Sequence, residues 1–402
     1  MNSQRPESTD LSASDPAAAA GAINTFGLNL FADETAHRKR ENVFISPLSV
    51  FFALAMTEGG AAGQTRADMR KTLAVPATVS EDGLHQSASA LLKALQAQKG
   101  VQFSIANALW SDARLPLAPS FVELCRSFYQ ADATTLDLSS PVAANTINAW
   151  VKEKTQGKIP TIVTPDNLRH ALAVLTNAVY FKGGWEYKFD KDDTKEGDFH
   201  LSGGNAASGK SAGGTPVPGP EKIKKIHFMH RDSIPRAYRS GPGFEAAALP
   251  YESSTIALYA ILPAPGKAPE EALAKISVPS LRSSAEPVDL DLKLPKFTLD
   301  FAAGLRAPLE RMGMASAFHG GADFIPMGSP KFFINDVLHK TRLEVDEEGT
   351  VAAAATGVTM GATAVMRPRE KKTLVFDRPF ALLLCDAQTG AILFAGVIYD
   401  PQ

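Results

Sequence analysis

Apolar residues recur at helical spacing from Gly21 onward, with Ile23, Phe26, Leu30 and Phe31 on one face, which predicts an amphipathic helix. In NVFISPLSVFFALAMTEGG, Ser46-Pro47 reads as a helix start with proline just inside it, and Gly59-Gly60 as its stop. Further helices are expected from Gly63 to about Leu73, over 81–98, in PSFVELCRSFYQA and through NTINAWVKEKTQGKI. FSIANALWSD and TTLDL read as strands between them. ALAVLTNAVYF (171–181) is an uninterrupted apolar run, the pattern of a central strand buried on both faces. The second half is rich in strands: IKKIHFM, FEAAALPY, TIALYAILP, VDLDLKLPKFTLD, KFFINDVLHKTRLEV, TLVFDRPFALLLCD and AILFAGVIYD, with helices at about 269–276 and 302–312. Helices come mostly first and strands mostly later, without regular alternation, so the fold class is α+β.

The 402 residues are 45% hydrophobic and 21% charged, enough to bury a large core. At about 100–200 residues per domain, length alone suggests two or three domains. Lys and Arg total 41 against 43 Asp and Glu, which gives no basic face for nucleic acid. No run of about 18 apolar residues is available to cross a membrane. Cys125 and Cys385 lie in apolar contexts and read as buried, unpaired thiols. Residues 1–20 read as a disordered tail without the charged and apolar regions of a signal peptide.

Three motifs match patterns without their context. Gly204 to Ser211 fits a phosphate-loop pattern and Gly209 to Gly213 a nucleophile elbow. Both patterns need a strand before and a helix after, whereas GGTPVPGP follows. Residues 203–220 are therefore expected to be a flexible Gly/Pro-rich loop. His227 and His230, three apart on a strand, point to opposite faces and read as surface or core histidines, with no metal site assigned.

Residues 345–370, VDEEGTVAAAATGVTMGATAVMRPRE, break the strand pattern until Thr373. An Ala-rich helix or plain connector is the simplest account, but glycines bracket the alanines, and structureless connections this long are usually functional. Glu347-Glu-Gly-Thr350 followed by small residues resembles the hinge of the serpin reactive loop, and FDRPFALLLCDAQTGAILFAGVIYDP (376–401) resembles the serpin C-terminal signature. NVFISPLSVFFALAM (42–56), TINAWVKEKTQGKI (146–159), LTNAVYFKGGWEYKF (175–189) and DVLHKTRLEVDEEGT (336–350) fall in the same family's order and spacing.

The resemblance implies one domain over 21–402, not two or three, with three β-sheets, about eight or nine helices and a metastable state whose exposed reactive loop spans 347–370. It implies no enzyme. The loop is bait: a serine protease attacks it and forms its acyl-enzyme, and the freed loop inserts into the large sheet before the ester hydrolyses. Family spacing counts to Thr363-Ala364 as the reactive bond, with Ala362, Val365 and Met366 as alternates. Small uncharged residues there suit an elastase-like or subtilisin-like protease, and Arg367 precedes Pro368. The hinge is Glu347, Glu348, Gly349, Thr350, Val351, Ala352, Ala353, Ala354, Ala355 and Thr356. Its small alternating residues match the inhibitory pattern, since proline or large charged residues would impede entry into a sheet. By motif, Ser46, Ser49, Asn177 and His339 resemble the polar cluster under the sheet centre (the shutter). Trp185, Lys296 and Glu347 resemble the site where insertion starts (the breach). The alternative is a non-inhibitory serpin acting as a binding or chaperone module. No cofactor is implied, and the helix at 81–98, with one Lys and no Arg, offers no heparin-type site. The expected partner is the target protease, held by a monomer. The family favours an extracellular or periplasmic location, while the missing leader leaves the cytoplasm open.

Overall fold

A computed structural model describes residues 16–17, 19–201, 207–210, 216–218, 222–274, 276, 278–283, 288–350 and 370–402. The helix Pro47–Glu58 is buried along its whole length. Its start is set locally, by the Ser46 side chain accepting from the Ser49 N–H and by proline in the first turn. A helix apolar all round must be enclosed. It lies between a large sheet, against Val101–Asp112 and Ala173–Gly184, and a second sheet, against Ile392–Ile398.

The large sheet has the strand order Phe297–Gly304, Asp336–Val345, Gly349–Thr350, Ala173–Gly184, Val101–Asp112, Asp132–Leu136. Ala173–Gly184, here the central strand, is covered on both faces. Leu175, Val179 and Phe181 join the main core, and Val174 and Ala178 pack under the helix Ala143–Lys154 with Ile147 and Val151. The second sheet runs Val43–Ile45, Ile392–Ile398, Phe380–Asp386, Ile256–Pro263, Phe244–Pro250, Tyr238–Gly241. The third runs Lys371–Val375, Asp289–Pro295, Ile223–Pro235, Lys195–His200. Cys125 and Cys385 are buried and are not joined in a disulfide.

Several expectations are corrected. The apolar run 288–300 is two strands, because the chain leaves the third sheet at Pro295 and enters the large sheet at Phe297. The helix expected over 302–312 begins only at Arg306, because Phe301 to Gly304 pair with the strand Asp336–Val345. The helix count agrees with about eight or nine: ten α-helical segments occur among the described residues, and Pro165–Leu168 and Arg306–Leu309 are single turns. Within the Gly/Pro-rich stretch, Ala207–Lys210 and Pro216–Pro218 pair as an antiparallel ribbon. Proline favours extended backbone and tolerates edge pairing, so this composition accommodates a short strand. Among the described residues, no helix lies between Lys210 and Pro269 to complete either motif matched there.

Candidate reactive loop and its entry into the sheet

Asp336–Val345, here the pre-loop strand, lies parallel to the central strand from Asp336↔Val174 to Arg342↔Tyr180. Beyond that row the two strands part. The chain reverses at Asp346, whose Oδ1 accepts the N–H groups of Glu348 (2.9 Å) and Gly349 (3.1 Å) while its own N–H donates to Gly349 O (2.9 Å). Gly349 and Thr350 then run back into the gap, pairing with Gly184 and Gly183 on one side and Val345 on the other. The sheet is thus closed below and wedged open at its mouth by two residues of the hinge.

Each residue of this mouth has a physical reason. A Cβ on Gly349 would collide with Gly183 O and lie 2.8 Å from Gly184 Cα, so only glycine fits. Gly183 is also needed, since a Cβ there would be 2.6 Å from the Tyr251 ring. Thr350 is fully buried, and its hydroxyl shares a 2.5 Å hydrogen bond with Tyr251 OH. The Tyr251 ring stacks on Trp185 with centroids 4.7 Å apart. The Trp185 indole donates to Asp346 O at 2.8 Å, and its backbone N–H donates to Glu348 O at 2.9 Å. Glu347 is buried and accepts from Lys296 Nζ (2.8 Å) and Thr194 Oγ1 (2.9 Å). Burial pushes its carboxyl up, but the hydrogen bonds from Lys296, its own backbone and Thr194 outweigh this and hold it below the usual range. Glu348 is also held low, chiefly by the hydrogen bond from Lys188 and then by Lys191.

A second polar group lies midway down the closed part. Asn177 and His339 are direct partners across the parallel pair, and their side chains are hydrogen-bonded through Asn177 Oδ1 and His339 Nδ1. Asn177 Nδ2 donates to Ser49 Oγ at 2.5 Å and to Asn107 Oδ1. The Ser46 N–H donates to His339 Nε2 at 3.2 Å, and Ser46 Oγ donates to Leu393 O at 2.7 Å. His339 Nε2 is therefore an acceptor and the imidazole is neutral. Burial pushes His339 down to about 3, only partly offset by its bond to Asn177. Any strand entering between Asn177 and His339 must part this contact.

The structure brings Ser46, Ser49, Asn177 and His339 into one cluster, and Trp185, Lys296, Glu347, Glu348, Gly349 and Thr350 into the mouth. Asn107 and Tyr251 belong to these groups too. Asn107 was signalled by a lone amide within the apolar strand FSIANALWSD; Tyr251, in a Pro-Tyr at a strand end, carried no comparable signal. The hinge residues Val351, Ala352, Ala353, Ala354, Ala355 and Thr356, and the bait positions Ala362, Thr363, Ala364, Val365 and Met366, lie outside the described residues.

A family model described as Serpin (serine protease inhibitor) matches residues 21–401. The leukocyte elastase inhibitor of Bos taurus is 34% identical over 397 residues, covering 94% of this chain and 99% of the relative. A serpin-like protein of Thermococcus kodakarensis is 33% identical over 388 residues, covering 95% of this chain and 85% of the relative. The crystal structure of the thermophilic serpin tengpin in its native state superposes with a TM-score of 0.79 at 27% identity, covering 99% of this chain and 96% of that one. With its three sheets, its wedged mouth and a family match over nearly its whole length, the chain belongs to the serpin family.

Proposed function

We propose that this serpin inhibits serine proteases as a suicide substrate, with Thr363-Ala364 as the bait bond and an elastase-like or subtilisin-like enzyme as its target. The observation that carries this reading is the hinge at the mouth: Gly349 and Thr350 already occupy the gap above seven closed parallel rows. A protease that cleaves the bait is left acylated on the loop. The loop end then advances between the pre-loop and central strands and draws the enzyme with it.

Entry replaces one ladder with two, so the net gain is one ladder. Seven rows at a net of about 0.5–1.5 kcal/mol per hydrogen bond give on the order of 4–10 kcal/mol. That is comparable with the whole stability of a protease domain, about 5–15 kcal/mol, so distortion of the captured enzyme is energetically feasible. The uncharged residues around Thr363 suit a small or shallow apolar primary pocket. The name of the bovine relative supports the elastase-like class.

The test is incubation with elastase and with subtilisin followed by denaturing gels and mass analysis of the released peptide. A denaturant-resistant complex and a peptide beginning at Ala364 are expected, with a higher melting temperature after loop cleavage. Clean cleavage without complex or thermal gain would overturn the proposal and favour a non-inhibitory binding module.

A further inference from the structure

His227 and His230 take no part in loop entry. They lie on Ile223–Pro235, which pairs antiparallel with Asp289–Pro295 in the third sheet. The register passes His230↔Lys293 and Arg231↔Leu292 and resumes at Ile234↔Leu290, so residues 232 and 233 oppose Asp291 alone. This is a β-bulge, a device that re-aims side chains. One ligand atom each from His230, Asp232 and Asp291 comes within 4.8 Å of the others. His230 Nε2 is 2.8 Å from Asp291 Oδ1, and Thr373 Oγ1 donates to Asp291 Oδ2 at 3.1 Å. Lys371, at the start of the edge strand that follows the loop, bonds Asp232 Oδ1 at 2.5 Å.

We propose that His230, Asp232 and Asp291 form a site for a divalent transition-metal cation of the zinc class, and that filling it detaches Lys371 from Asp232. An imidazole nitrogen with two carboxylates is a donor set for zinc-like cations, whereas magnesium and calcium prefer oxygen alone. Bonds of about 2.0–2.2 Å place tetrahedral ligand atoms roughly 3.4 Å apart, so side-chain rotations that change the present separations by at most about 1.4 Å reach that geometry. Two of the three ligands are half-buried on paired strands and need little ordering. Thr373 already holds the outer oxygen of Asp291, the role an outer partner plays at metal sites. Lys371 and Asp232 have side chains 47% and 77% exposed, and an ion pair so open to water is weak enough for a dication to replace. Lys293, the strand partner of His230, is exposed on this face.

The test is calorimetric titration of the metal-free full chain with Zn²⁺, with Co²⁺ absorption as a reporter of four-coordinate geometry. One Zn²⁺ per chain is expected. His230→Ala and Asp291→Asn should each weaken binding by at least the ~10–100-fold that loss of an outer partner costs. His227→Ala, on the opposite face, should leave affinity unchanged, and Lys371→Ala should tighten it by removing the competing ammonium. Absence of binding at millimolar Zn²⁺, or stoichiometric binding that survives His230→Ala, would overturn the site. Unchanged affinity in Lys371→Ala would overturn the displacement. Neither result depends on whether the loop inhibits a protease.

Discussion

Acid should loosen the closed part of the large sheet through one residue. His339 is fully buried between the strands that would part in the proposed insertion, and its two ring nitrogens are committed, one as donor to Asn177 and one as acceptor from Ser46. Protonation at Nε2 would set one N–H against another. Its folded pKa is about 3 against an ordinary 6.5. Between those values the unfolded chain binds more protons than the folded one, so stability falls as pH falls. At ~1.4 kcal/mol per pKa unit, the full effect below pH 3 is on the order of 5 kcal/mol, of which about 2 kcal/mol is lost between pH 7.5 and 5. His85 is also buried and is pushed down to about 4 by that burial, so it titrates in the same window. Comparing wild type with His339→Gln cancels it. Urea unfolding at both pH values and constant ionic strength should show the wild type losing about 2 kcal/mol more than the variant. Equal losses would refute the assignment of a neutral, doubly bonded His339.

Thr350→Arg should convert inhibitor to substrate. Burying an unpaired guanidinium at the mouth costs several kcal/mol, so the variant hinge is expelled from the gap and must re-enter against that cost at ~0.5–1.5 kcal/mol gained per row, and deacylation outruns entry. A gel assay that still shows full complex with elastase would contradict the hinge argument, and Thr350→Ser is the conservative control. Gly349→Ala should lower stability by about 1–3 kcal/mol through overpacking against Gly183 and Gly184, and should speed amide exchange at Gly349 and Thr350; unchanged exchange would mean the wedge is not held by that fit. Lys296→Met should cost about 1 kcal/mol or less, because the ammonium is 47% exposed and Thr194 still serves Glu347, and that cost should shrink in high salt. A loss of several kcal/mol, unaffected by salt, would show the pair to be far stronger than its exposure allows.

Helix starts were legible because their determinants are local. Ser46-Pro47 is written in adjacent residues, and so is Ser80, which caps Glu81–Gln96 through Gly83. The central strand was legible because both faces are apolar. What failed depends on distant partners. Nothing within 288–300 says that Pro295 and Phe297 belong to different sheets, since their neighbours lie at 228 and 345. Lys195–His200 is an edge strand with a mostly polar sequence, so its pairing left no alternating pattern to read. The mouth shows the same division. Glu347-Glu-Gly-Thr350 was readable as a motif, whereas Tyr251, which holds Thr350 from 99 residues away, was not.

In the proposed insertion, the two polar groups would act at different stages of one movement. At the mouth, insertion has nothing to break, because Gly349 and Thr350 are already paired on both sides. Below it, the advancing strand must part seven rows, from Arg342↔Tyr180 down to Asp336↔Val174. Six of these rows exchange backbone bonds for equivalent ones. The fourth, His339↔Asn177, would also break a buried side-chain bond, which stays unmade until the entering residue at that row, Thr356 by continuation of the register at the mouth, arrives with its hydroxyl. Leaving buried polar groups unpaired costs about 1–3 kcal/mol, which slows passage by roughly one to two orders of magnitude. Under the proposed mechanism, the mouth would determine whether insertion can begin, and the buried cluster how fast it proceeds. The cluster would then restrain spontaneous insertion of the uncleaved loop while leaving the much larger gain after cleavage intact.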